Sequence, residues 1–248
     1  MICGVYPIIV LIFAAALCVL RVVELSNAFE LLAETVVLKE GVGAVTAMRF
    51  MTVAGCALLL VLALLAKDIE LEYSAFAAGA GKLASVVAGF LLVAAGGYGL
   101  AAHMGDTVRM VLSAFSIVAG AAMLLAIKTS GGATAVVPVF CGCFLLLTLY
   151  VEHAGDAALE RYGYTVIAAS ALTAAVYCAA SASFGVKKAR FKLAASGICV
   201  LLGAVSAVTA IVDGDWQLAA TFAAAVVFGA GECLAICYPR HAAKRVAE

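Results

Sequence analysis

Stretches of about 20 apolar residues recur along the whole chain, each long enough to cross a hydrocarbon core of about 30 Å as a helix. Eight such stretches can be laid out, at about 3–23, 47–66, 83–102, 110–127, 135–151, 164–184, 193–212 and 218–238. The runs are continuous and rich in Ala and Leu instead of alternating at period two, which excludes a membrane β-barrel. Charged residues make up 12% of the 248, against roughly a quarter in soluble domains, so a soluble fold of this length could not hide its apolar surface. The expected fold is an all-α polytopic membrane bundle, one transmembrane domain over 1–248.

The first run, Tyr6 to Leu20, has no basic residue ahead of it, and Leu17 before Cys18 is not the small residue of a lipoprotein cleavage site. It reads as a retained span and not as a secretory signal. Between it and the second span, Phe29, Leu32, Ala33, Val36 and Val37 recur at helical spacing. Asn27 and Glu30 stand at the separation of a capping box, and Gly41 can end a helix. This pattern predicts a short amphipathic helix over about 27–40, lying in the interface at the outer face.

Orientation comes from the loops. Lys187, Lys188, Arg190 and Lys192 form the densest positive charge in the chain, and short loops rich in Lys and Arg stay cytoplasmic. With eight crossings both termini share that side, and ten of the fifteen Lys and Arg then fall inside, leaving Arg21, Lys39, Arg49, Arg109 and Arg161 outside. Tyr98, Tyr150, Tyr162, Tyr164, Trp216 and Tyr238 fall near proposed span ends, where amphipathic rings favour the headgroup level. The chain is therefore expected in a plasma membrane, of the bacterial inner-membrane kind, with the lipid bilayer as its partner and anionic headgroups beside the cytoplasmic loops. The basic segments are too small for a nucleic-acid face.

Small residues four apart let helices approach closely, and Ser85 with Gly89, Ala95 with Gly99 and Ser116 with Gly120 are such pairs. Ile117–Ile127 can be laid over Val226–Ile236, and Lys82-Leu-Ala-Ser over Lys192-Leu-Ala-Ala. This overlay suggests a parallel duplication of 1–127 and 135–238, an arrangement seen in transporters.

Glu232 is the ionisable side chain placed well inside a span, about 9 Å from the inner end of its helix at about 1.5 Å per residue. A charge there costs about 2.5–3.5 kcal/mol on insertion scales, so it is expected to face protein, with Lys82 and Lys192 as candidate partners. Glu152 and His153 form a candidate outer polar cluster, in which a His beside carboxylates can relay protons. Asp213 and Asp215 flank Gly214 in a tight turn. Cys233, Cys237 and His241 share a helical face at ligand spacing, but Pro239 interrupts it, and no metal or other cofactor is expected. No phosphate loop, nucleophile elbow or other catalytic set is present, so an enzyme is not expected. Two functions remain open: a transporter or permease-like protein for a small or weakly polar solute, and a membrane scaffold, sensor or accessory subunit without transport.

Overall fold

The computed structural model describes residues 2–32, 35–38, 43–66, 80–129, 132–153, 159–186 and 188–238. Eight helices carry the apolar runs: α1 (Ile2–Asn27), α2 (Gly43–Leu65), α3 (Ala80–Ala102), α4 (Thr107–Thr129), α5 (Gly132–His153), α6 (Leu159–Ala182), α7 (Ala189–Val212) and α8 (Trp216–Cys237). All eight are long and apolar enough to cross a membrane, and the protein is a multi-pass membrane bundle. The first and last described turns lie at one end of it, where the Tyr238 hydroxyl donates to the Gly4 carbonyl at 2.7 Å. That end is termed inner and the other outer.

One expected element is replaced. Where an amphipathic helix over 27–40 was expected, β1 (Phe29–Leu32) and β2 (Thr35–Leu38) pair antiparallel, Phe29 opposite Leu38 and Leu32 opposite Thr35. Asn27 does not cap a new helix; its side-chain amide donates to Val23 and extends α1. The segment's apolar residues fit a period of two as well as 3.6, and the β-branched run Thr35-Val36-Val37 favours the strand.

Helices α3 to α8 form a closed ring in which each packs on the next and α8 returns to α3. Helix α1 packs on α7 and α8, and α2 covers α1 and α7, so α7 and α8 are the most enclosed elements. Lipid is as apolar as the side chains, so close backbone approach must hold such helices together. Glycine supplies it. A Cβ on Gly120 would collide with the Gly89 carbonyl oxygen and lie 3.0 Å from the Val93 nitrogen. A Cβ on Gly229 would meet the Ser196 carbonyl at 2.8 Å and the Val200 nitrogen at 3.5 Å.

The α3–α4 and α7–α8 hairpins therefore share one mode of contact. The overlay of Ile117–Ile127 on Val226–Ile236 does set Gly120 on Gly229. The contact geometry, however, matches Gly89 to Ser196 and Val93 to Val200, so Ser85 and not Lys82 stands where Lys192 does. By the same matching, buried Met123 stands where Glu232 does.

Because the obstacle to a side chain at Gly120 is backbone, Gly120→Ala should destabilise the bundle by about 1–3 kcal/mol, the usual cost of overpacking. Gly97, with nothing within 4 Å of its would-be Cβ, is the control. Thermal unfolding in detergent should show a clear drop in midpoint for Gly120→Ala and none for Gly97→Ala.

Candidate functional site

Polar side chains gather at both ends of the bundle, around an apolar middle. At the inner end, Lys192 on the first turn of α7 and Glu232 near the end of α8 form an ion pair, Nζ to Oε2 2.6 Å, with side chains only 2% and 0% exposed. The approach is off the hydrogen-bonding direction, and neither carboxylate oxygen accepts an aligned bond. Ser196, one turn above Lys192, and Ser85 on α3 are also fully buried with hydroxyls lacking a partner. Tyr6 closes the floor, its hydroxyl donating to the Leu193 carbonyl at 3.1 Å.

Of the two candidate partners for Glu232, then, Lys192 is the one brought to it, while Lys82 is exposed. The basic stretch divides in the same way. Lys188 and Arg190 are exposed at the inner end, Lys192 turns into the bundle, and Lys187 lies outside the described residues. Lys192 is thus buried away from the headgroups. His241 and Pro239 also lie outside the described residues, and the thiols of Cys233 and Cys237 are buried side by side on α8. Among the described residues no group of three His, Cys, Asp or Glu side chains is placed to hold a metal ion.

At the outer end, arginines bind the helices together. Arg21 is 0% exposed. Its Nη1 lies 2.6 Å from Glu24 Oε2, its Nε donates to Thr209 Oγ1 at 3.0 Å, and its Nη2 donates to the Arg161 carbonyl. Its guanidinium also covers the Tyr164 ring at 4.8 Å, a cation–π arrangement. One side chain of α1 thereby holds α6 and α7. Arg161 in turn pairs with Asp213 and lies over the Phe29 ring at the start of β1.

Across the ring, Arg109 on α4 holds Glu152 of α5 and Asp215 before α8, each at 2.6 Å. Asp215 also caps α8, accepting from the Leu218 N–H at 2.9 Å, while Gly214 supplies the left-handed turn at φ 76°. Asp213 and Asp215 are accordingly each held by an arginine. His153 stacks on Tyr162, ring centroids 4.1 Å apart, linking α5 to α6. The outer cluster of Glu152 and His153 is therefore part of a set of interhelical clasps.

Between these ends the ring surrounds a partly open cavity of roughly 50 Å³ lined by Leu92, Phe115, Met123, Pro138, Cys141, Leu172, Phe228 and their neighbours. Ser116 and Thr221 bring hydroxyls to it, but these donate to carbonyls of their own helices, Leu112 at 3.0 Å and Gln217 at 2.9 Å. Glu232 and Lys192 do not line it.

Arg21 is the residue that the sequence did not single out. Counted simply as an outside cation, it was separated from its role by the blurred end of the first span. The signal was present, an Arg and a Glu at i, i+3 closing an otherwise uncharged run. Comparison with protein-family models, with curated proteins and with solved structures gives no match, so this chain's own side chains carry the functional reading.

Proposed function

We propose that the chain is a membrane scaffold or accessory subunit that carries no solute of its own. The observation that supports this reading is the separation of charge from cavity. The ion pair of the inner end, Lys192 with Glu232, is closed on itself outside the central space, and the hydroxyls that reach that space are committed to their own helices. A path for a charged or strongly polar solute needs polar groups along its length. Interhelical arginine clasps favour holding a fixed shape over alternating between two. The bias of loop cations supports cytosolic chain ends in a plasma membrane of the bacterial inner-membrane type.

A second reading, carriage of a small or weakly polar solute, is favoured by the closed ring and its central cavity. At roughly 50 Å³, with about 10–15 Å³ of such space needed per water, the cavity has room for only a few water molecules, so carriage would require the ring to open.

Cys141 separates the two readings without knowledge of a solute, because its thiol is buried and lines the cavity. Proteoliposomes treated on either side with a charged, water-soluble methanethiosulfonate, followed by peptide mass analysis, should leave Cys141 unmodified. Modification of Cys141 from both sides would select the carrier.

A further inference from the structure

We propose that the cleft between α2 and α6 at the outer end is a binding site for the phosphodiester headgroup of an outer-leaflet phospholipid. The cleft has a volume of about 280 Å³ and is lined by Glu24, Arg49, Thr52, Val53, Tyr164 and Ile167, with Gly163 at its rim. It exists because α2 and α6 each pack on α7 but not substantially on one another, which leaves a lateral opening toward lipid above a floor supplied by α1.

The polarity of the lining changes with depth as that of a lipid does. Arg49 lies six residues into α2 from Gly43, about 9 Å below the helix start at about 1.5 Å per residue. From there a long cationic side chain can lay its stem along apolar surface and reach up toward the headgroups. One turn further in stand Val53, 69% exposed, and on the facing helix Ile167, 55% exposed. These leave an apolar track down which acyl chains can run, while the cleft itself has room for the phosphate and glycerol.

The polar end is built for an anion. Arg49 is exposed at the mouth, and a guanidinium has five donors, enough to hold a phosphate oxygen alongside another contact. Thr52 is 8% exposed, and its hydroxyl lies against the Tyr164 side chain at the back of the cleft. Glu24, the carboxylate in the lining, is turned to Arg21 and neutralised by it. The site thus combines a cation and an apolar track in one place.

The test uses the full chain purified in detergent. Native mass spectrometry would follow titration with phosphatidylglycerol, phosphatidylcholine and, as the arm without acyl chains, glycerol 3-phosphate. Retention of one molecule of either phospholipid per chain, weakened at least tenfold in Arg49→Gln and retained in part in Arg49→Lys, is expected. No retention of glycerol 3-phosphate is expected, and if it binds as well as the lipids the site is one for free phosphate esters and the lipid assignment fails. Equal retention by wild type and Arg49→Gln overturns the proposal.

A second measurement needs no variant. A phospholipid carrying a diazirine near the glycerol end of its acyl chain, in vesicles of phosphatidylcholine, should label peptides containing Val53 and Ile167 ahead of other lipid-facing positions such as Phe90 and Phe140, exposed on α3 and α5. Even labelling around the bundle would sink the site.

Discussion

Replacing Lys192 by Met is expected to destabilise the protein by about 3–5 kcal/mol, the range found when one partner of a buried ion pair is removed. The reason is the state in which Glu232 is left. With the ammonium gone, a fully buried carboxylate has neither an opposite charge nor an aligned hydrogen bond, and it must either keep its charge at full desolvation cost or take up a proton. Glu232→Gln strands Lys192 in the same way and should cost a similar amount. The double variant separates the pair's worth from the cost of breaking it. Lys192→Met with Glu232→Met removes both charges together, and buried pairs replaced by apolar residues of similar volume are often neutral or stabilising. Thermal midpoints of the two single variants should fall well below wild type, and the double variant should recover most of the loss. If both singles melt with the wild type, the pair is not buried in the bundle as described. If the double melts with the singles, the charges are required for more than each other.

That pair marks the limit of what periodicity can reveal. The number and extent of the helices were legible because an apolar run of about 20 residues has one stable form in a bilayer. That small residues would let helices approach closely was legible too, since Gly89 and Gly120 stood among the pairs four apart, but which helices they would join was not. Partner choice was not. Lys82 and Lys192 occupy similar places near the inner ends of similar helices, and the turn of each helix about its axis decides which is buried. Lys192 was also counted with the loop cations, because a long side chain one turn inside a helix is indistinguishable in sequence from one just outside it. The β1–β2 hairpin was misread for a related reason. Its few apolar residues satisfy two periods at once, and only the pairing of Phe29 with Leu38 distinguishes them. The central cavity had no sequence signal, since its lining comes from several helices and each contributes residues ordinary for a membrane span.

Arg21→Met is expected to have the second large effect, and a different pattern of rescue. The guanidinium serves three partners on three elements: Glu24 on its own helix, Thr209 on α7 and the Arg161 carbonyl on α6. Methionine can fill part of the volume but makes none of these bonds, and Glu24, 1% exposed, loses its guanidinium. Removing one partner of such a buried pair costs about 3–5 kcal/mol. Arg21→Lys keeps the charge but not the planar fork, so it can hold Glu24 without reaching α6 and α7 together, and should restore only part of the stability. Glu24→Gln should be milder than Arg21→Met, because the guanidinium keeps its bonds to Thr209 and the Arg161 carbonyl and its place over Tyr164. The order of midpoints is therefore wild type, Glu24→Gln, Arg21→Lys, Arg21→Met. A hydrogen-exchange readout adds location. Loss of the clasp should raise exchange at the outer ends of α6 and α7, while the inner end around Lys192 and Glu232 stays protected, since the two polar clusters share no side chain. Uniform loss of protection along both helices would mean that Arg21 supports the whole bundle and not one end of it.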